Sequence, residues 1–404
     1  MGATSTVKFI LFDDATRFQL LPFTHTRPVA DIRCGILTMR ERWEKLLNSH
    51  TSTLTEHYLQ EIFPLETGDG NVFINSSVFA DKKLIEGIAN LNPGEKLIWN
   101  QTLLAARFTE GEINFVNFEK LVEQLSIQNF VGNIHKLRNI WDIFSHNEQA
   151  IKEDFKILTQ GRKTAAIPEH VIVSGAENLF IEKGAIINAG CIINATTGPV
   201  YIGKGAELLE GALLRGPIAV CDHAVIKMGA KIYGATTIGP GCKVGGELSN
   251  VVFLANSNKG HDGYLGNSVI GEWCNLGADT NCSNLKNNYD QVSIWNEHWN
   301  SSVKTGLQFC GLFMGDHSKC GINTMFNTGT VVGVSANIFG GGFPDKFIPS
   351  FSWGGCGETV TYEFSKALET ANRMMNRRNE ELSHQEMEMY RYVFELTSSQ
   401  RNAH

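Results

Sequence analysis

The chain has 404 residues, 42% hydrophobic and 19% charged, enough for two or three domains that each bury a core of their own. A formal charge of −7 gives no global attraction for nucleic acid, so any phosphate-bearing ligand has to be held by local basic residues. No stretch approaches the ~18 apolar residues of a membrane span.

At the N-terminus, the apolar run of MGATSTVKFILFDD is too short for a signal peptide and is ended by Asp13 and Asp14. The nine cysteines are scattered and include no C-x-x-C pair, which argues against a zinc knuckle or a dithiol redox motif. Both features point to the cytosol and to thiols used as small buried side chains.

Residues 1–158 read as an α/β domain. The apolar strand 7–12 is followed by a loop and a helix whose apolar face would carry Ile32, Ile36, Met39, Trp43 and Leu46. A strand at 71–75, a helix near 81–90, a turn at Asn92-Pro93-Gly94 and a strand at 96–99 come next. Residues 159–166 are small and polar and read as a linker.

From 167 to about 345 the period is six. Ile181, Ile187 and Ile193 form one run, Ile238 and Val244 another, and Met314, Cys320, Phe326, Val332 and Ile338 a third. Each is often followed by glycine or another small residue, as at Gly239, Gly277 and Gly333. This hexapeptide pattern predicts a parallel β-helix, with aliphatic side chains inward and small residues at tight corners. Residues 285–302 break the rhythm and predict a loop thrown out from the coils, carrying Trp295 and Trp299. The remainder, 346–404, is expected to extend from the coils as a helix over 360–397, with Phe364, Leu368, Ala371, Met375 and Leu382 as its apolar stripe.

His261 is the leading candidate for a catalytic base. It stands in a Lys-Gly-His-Asp-Gly turn outside the strict repeat, and an imidazole ordinarily titrates near 6.5, which suits proton abstraction at neutral pH. Tyr264, Asn275, Asn281 and Asn284 follow closely and can hold a polar ligand, although the same residue types also stabilise turns.

The order K-G-H-x-x-Y-L-G, I-G, N-L-G-A and then N, over 259–284, resembles the acetyltransferase domain of bifunctional GlmU-type enzymes, and the hexapeptide likeness covers about 167–340. Those enzymes make UDP-N-acetylglucosamine, a cell-envelope precursor, by acetylating glucosamine 1-phosphate from acetyl-CoA and transferring a uridylyl group from UTP. The resemblance implies a left-handed β-helix, a homotrimer, His261 as general base, and Tyr264 and Asn275 on the amino-sugar phosphate. It also implies Ala278 near the acetyl group of acetyl-CoA, and Asn284 and Lys243 as further substrate contacts. The second basic residue of the family's phosphate site is a glycine here, leaving Lys286, Lys227 and Arg215 as candidates.

The N-terminal text FDDATRFQLLPFTHTRPVADIRCGILTMRERW is similar to a divergent, shortened nucleotidyltransferase domain of the same family. Thr16-Arg17 and Leu21-Pro22 match, while Asp13, Asp14 and Ala15 replace the glycines of the phosphate-wrapping loop. Two carboxylates there would repel a triphosphate unless a divalent cation lay between them. Arg17, Arg27 and Arg33 become the nucleotide-binding candidates, with Arg33 and Arg40 on one helix face. Mg2+ is implied for nucleotidyl transfer, its ligands unknown beyond guesses at Asp69, Asp81 and Asp142. Other readings stay open: a different sugar-1-phosphate nucleotidylyltransferase, thymidylyl for example, that uses the β-helix for assembly; a zinc hydrolase drawing on His261, His298 and His317; and a non-catalytic nucleotide-sugar-binding scaffold.

Overall fold

A computed structural model describes residues 7–108 and 113–402. The chain forms two compact units: residues 1–20, 26–32 and 37–139 make the first, and 21–25, 33–36 and 140–404 the second.

In the first unit, β1 (Val7–Phe12), β2 (Thr51–Leu54), β3 (Gly70–Asn75), β4 (Glu95–Trp99), β5 (Thr102–Phe108) and β6 (Ser126–Asn129) form one sheet in the order β2-β1-β3-β5-β4-β6. The pairs β1–β2, β1–β3 and β4–β6 are parallel, and β5 runs antiparallel to β3 and β4. A strand covered on both faces has to be apolar on both. Accordingly Leu11, Val72, Ile74 and Ala105 pack with Trp43, Leu84 and Ile88 on one face, while Ile10, Phe12, Phe73 and Ala106 pack with Leu54 and Phe118 on the other.

The first long helix is shorter than its pattern predicts. It spans Met39–Leu47, and a capping box between Thr38 and Glu41 starts it. Ile32 lies outside it, after a single 3-10 turn at Val29–Asp31, and Gly35, at φ 98°, turns the chain before Ile36. Arg33 and Arg40 therefore share no helix face. Arg40 instead makes a two-pronged ion pair with Asp31, at 2.8 Å through each nitrogen.

The second unit is a parallel β-helix. Val200, Ile218 and Thr236 are register partners eighteen residues apart, three hexapeptides per coil. The predicted inward residues Ile181, Ile187, Ile193, Ile238, Val244, Met314, Cys320, Phe326, Val332 and Ile338 are all buried in one continuous cluster. Each such aliphatic side chain stabilises by roughly 1.5–3 kcal/mol when fully buried, but only through its neighbours above and below, so stability accumulates coil by coil.

Four features refine the sequence reading. The β-helix continues beyond 345, because Phe347–Ile348 pairs with Val331–Val332 and Ser352–Gly355 with Asn337–Phe339; the glycine run 340–342 hides the period. The segment 159–166 is strapped to the first coil: Ile181 N–H donates to Thr164 Oγ1 at 2.8 Å, and Arg162 pairs with Glu182 at 2.6 Å. The helix Asn147–Thr159 packs on the β-helix, with its Ile151 beside Phe180, Tyr201 and Ala219, and is grouped with that unit. The interruption at 285–302 is an ordered antiparallel hairpin, Ser293–Asn296 with Ser301–Lys304. Trp295 stacks on Phe347 at 5.5 Å between ring centroids, whereas Trp299 is exposed.

The C-terminal segment forms two main helices, Phe364–Met375 and His384–Leu396. Asn379 in the left-handed conformation closes the first region, and a Ser383–Glu386 capping box opens the second. Leu382, expected on the stripe, lies between them and is buried. Among the described residues no helix is long and apolar enough to cross a membrane.

Candidate active site

The strand Asn258–Lys259 ends in the turn Gly260-His261-Asp262-Gly263, and the chain resumes as a strand at Tyr264. Gly263 adopts φ +113°, and a Cβ there would stand 2.2 Å from the Thr280 carbonyl oxygen, so only glycine fits. The turn presents His261 outward, and its side chain is exposed.

Two hollows, of about 460 and 610 Å³, meet at this residue: His261, Lys227, Gly260 and Ala278 line both. The first also takes Lys243, Asn258, Asn275, Arg377 and Arg378, four cations in all with Lys227 and no carboxylate among its lining. The second takes Asp262 and Asp279. His261 thus stands between a basic hollow and one where two carboxylates share the wall with Lys227, suited to a ligand with phosphates at one end and an amine at the other.

Arg377, Arg378 and Met374 reach the basic hollow from the end of the helix Phe364–Met375 and the turn after it. Arg378 is fixed by hydrogen bonds to Gly241 O (2.6 Å) and Asn256 Oδ1 (2.7 Å), with its guanidinium 5.4 Å from the Trp273 ring centroid. Sequence reasoning missed these residues. Their only signal is an Arg-Arg pair ending a helical stripe, over a hundred positions from His261.

Two lysines withdraw from solvent beside the site, Lys259 fully and Lys319 in part. Lys259 is 1% exposed and Nζ donates to the carbonyl oxygens of His261 and Asp262, at 3.1 Å each. Lys319 donates to His317 O at 2.7 Å. Burial, which disfavours the ammonium, lowers each to about 8.

The sequence candidates divide. Lys243, Asn275 and Ala278 join His261 in the hollows, as does Lys227. Tyr264 and Asn284 meet each other, with Asn284 Nδ2 donating to the Tyr264 hydroxyl at 3.0 Å and to Asn267 Oδ1 at 2.9 Å, but they line neither hollow. Burial raises the Tyr264 phenol above its usual range despite that bond, keeping it neutral. Lys286 is turned to the base of the hairpin, donating to Gln291 O at 2.7 Å, and Arg215 is exposed on another strand of the β-helix. His317 is stacked against Trp273 and edge-on to Tyr390, while His298 packs on Trp299. The three histidines are not brought together, and the described residues hold no group of three His, Cys, Asp or Glu able to bind a metal ion.

In the α/β unit a hollow of about 690 Å³ is lined by Asp13, Asp14, Arg17, Gln101 and Lys136 among others. Asp13 is closed to a cation. One of its oxygens accepts from Val29 N–H and Ser76 Oγ, and the other from Thr55 Oγ1 (2.7 Å) and Arg17 (3.2 Å). Burial outweighs these partners and leaves its pKa raised. Asp14 is held by Lys136 at 2.6 Å and Asn75 at 2.9 Å; burial pushes its pKa up, but the Lys136 ammonium and the hydrogen bonds bring it below the ordinary value. These residues do not make a cation cage. Nor do the guesses: Asp69 is exposed, Asp81 caps the helix Lys82–Ala89, and Asp142 belongs to the other unit. Arg17 lines the hollow, Arg27 is buried in the same unit, and Arg33, bonded to the Ile36 carbonyl, falls in the β-helix unit. The three arginines therefore form no common phosphate site within the α/β unit.

Residues 9–163 match the sugar nucleotidyl transferase family. The chain is also similar to the bifunctional protein GlmU of Methanocaldococcus jannaschii, 26% identical over 278 residues, covering 69% of this chain and 58% of that protein. YaiX of Escherichia coli K12, which bears the name of an uncharacterized acetyltransferase, is 27% identical over 159 residues, 39% of this chain and 68% of that protein. Among solved structures, the UDP-N-acetylglucosamine acyltransferase of Francisella novicida aligns over 59% of this chain and 87% of its own, at 14% identity and a TM-score of 0.34. The match spans less than two thirds of the archaeal GlmU's length.

Proposed function

We propose that the β-helix N-acetylates glucosamine 1-phosphate from acetyl-CoA, and that the α/β unit transfers a uridylyl group from UTP to N-acetylglucosamine 1-phosphate, yielding UDP-N-acetylglucosamine. The observation that carries this reading is the position of His261 between a hollow lined by four cations and one lined by two carboxylates and the shared Lys227. Phosphates are attracted to the first and an amine to the second. The amine nitrogen attacks the thioester carbonyl, His261 accepts the ammonium proton, and the C–S bond breaks to release CoA. The similarity to GlmU and the sugar nucleotidyl transferase match support the second half-reaction. In the α/β unit, Arg17 and Lys136 are the cations of a hollow that also carries Asp13, Asp14, Glu56, Glu119 and Glu123, so the charge of that hollow does not itself argue for phosphates.

The reading includes a cytosolic homotrimer. The column Ile172, Ile192 and Leu213, in register on one face and 61%, 41% and 41% exposed, supports self-association.

Incubation with glucosamine 1-phosphate, acetyl-CoA, UTP and magnesium, omitting one component at a time, tests the assignment. The acetylated sugar phosphate is expected whenever the first two are present, and the UDP-sugar only when UTP is added as well. Absence of acetylated product from the complete mixture would refute the acetyl-transfer half. A nucleotide sugar formed with TTP but not UTP would redirect the second half to thymidylyl transfer.

A further inference from the structure

We infer that Lys259 is a positioning residue, whose side chain, turned into the interior of the β-helix, holds the His261 turn in its working shape from beneath. This rests on the reading of His261 as the base.

Lys259 is the register partner of Val244, and the same column continues through Ile226 and Leu208, all buried apolar side chains. On the following coil Asn258 pairs with Asn275, which sets Leu276 over Lys259. At a position where the repeat calls for an aliphatic residue, the chain therefore carries an ammonium. An ion in an apolar column is unfavourable unless hydrogen bonds satisfy it. A methionine or leucine would fill the same place without that penalty.

What the ammonium does there is specific. It donates to the carbonyl oxygens of His261 and Asp262 and so ties down two consecutive peptide groups of the exposed turn. An otherwise exposed loop thereby gains an anchor on the rigid coil, and the imidazole departs from a fixed backbone. Local departures from a fold's own pattern concentrate at functional sites, and a catalytic group has to be held within a fraction of an ångström.

Lys259→Met and Lys259→Leu separate this role from a purely structural one, since either apolar side chain can fill the column. Both variants are expected to keep or raise the wild-type Tm. The kcat for acetyl transfer should fall about 10- to 100-fold, with KM for acetyl-CoA within about twofold of wild type. Hydrogen exchange measured by mass spectrometry should rise about tenfold or more in the peptide spanning 259–264 and stay unchanged in the neighbouring coils. Unchanged exchange in the turn overturns the inference, and so does a loosened turn that leaves kcat intact. Should the wild-type protein transfer no acetyl group at all, the proposed function fails on its own account. The exchange measurement then still decides whether Lys259 fixes the turn.

Discussion

His261→Ala is expected to slow acetyl transfer at saturating substrates by about 10²- to 10⁴-fold, the range a positioned general base contributes. The loss should fall on kcat, because the proton has to leave the nitrogen as the tetrahedral intermediate forms, whereas phosphate recognition rests on Lys227, Lys243, Arg377 and Arg378. Folding should be untouched: the side chain is exposed, and the anchor of the turn is made through the backbone oxygen of residue 261, which alanine retains. Steady-state rates with glucosamine 1-phosphate, beside thermal unfolding of the same preparation, check both halves. A variant that folds and acetylates at the wild-type rate removes His261 from the mechanism.

The largest effect on stability is expected from Gly239→Ala. A Cβ at this position would lie 1.9 Å from the Leu254 carbonyl oxygen and 2.5 Å from that of Phe253, both backbone atoms of the next coil. Neither oxygen can move without parting the ladder between residues 237–238 and 252–253. The substitution should therefore cost about 2–4 kcal/mol. Gly184→Ala is the contrast. Gly184 has φ +91° with nothing within 4 Å of the added carbon, so only the backbone conformation is penalised, by about 1–2 kcal/mol. Urea unfolding of the two variants gives the comparison. If Gly239→Ala is the milder of the two, the close stacking at that corner is wrong.

The β-helix was legible because its signal is periodic and purely steric: runs with an inward apolar residue every sixth position, such as Ile181 to Ile193 and Met314 to Ile338, each found buried. The same counting fails where coils shorten or widen. Lys243 and Asn258 are register partners only fifteen residues apart, and this contraction conceals Lys259 as an inward residue. The glycine run 340–342 likewise hides the pairing of Phe347–Ile348 and Ser352–Gly355 with the coil before.

Within the site, His261, Asn275 and Ala278 of the local motif line one hollow, whereas Tyr264 and Asn284 of the same motif bond to each other and line neither. Arg377 and Arg378 did not announce themselves, because a helix delivers them from a distant part of the chain. In the α/β unit, apolar runs located strands correctly. The basic residues misled, since Arg33 and Arg40 look like helix neighbours only if the turn at Gly35 is overlooked. The carboxylates Asp13 and Asp14 looked like cation ligands in the sequence. In the fold Asp13 is an internal hydrogen-bond hub and Asp14 the ion-pair partner of Lys136.

Eight of the nine cysteines are buried, and only Cys356 is partly open. Burial also pushes the thiols up, Cys242 and Cys310 to about 12 and Cys274 and Cys282 further still. Alkylating reagents need both access and a thiolate, so the folded chain is chemically quiet towards them. Iodoacetamide should consume Cys356 first under native conditions, with the others labelled only as their own coils breathe open. The thiols from Cys191 to Cys320 thus form a string of internal clocks along the solenoid. Mass spectrometry of the labelling order would read which end of it unzips first, and simultaneous labelling of all nine would mean that the coils open as one.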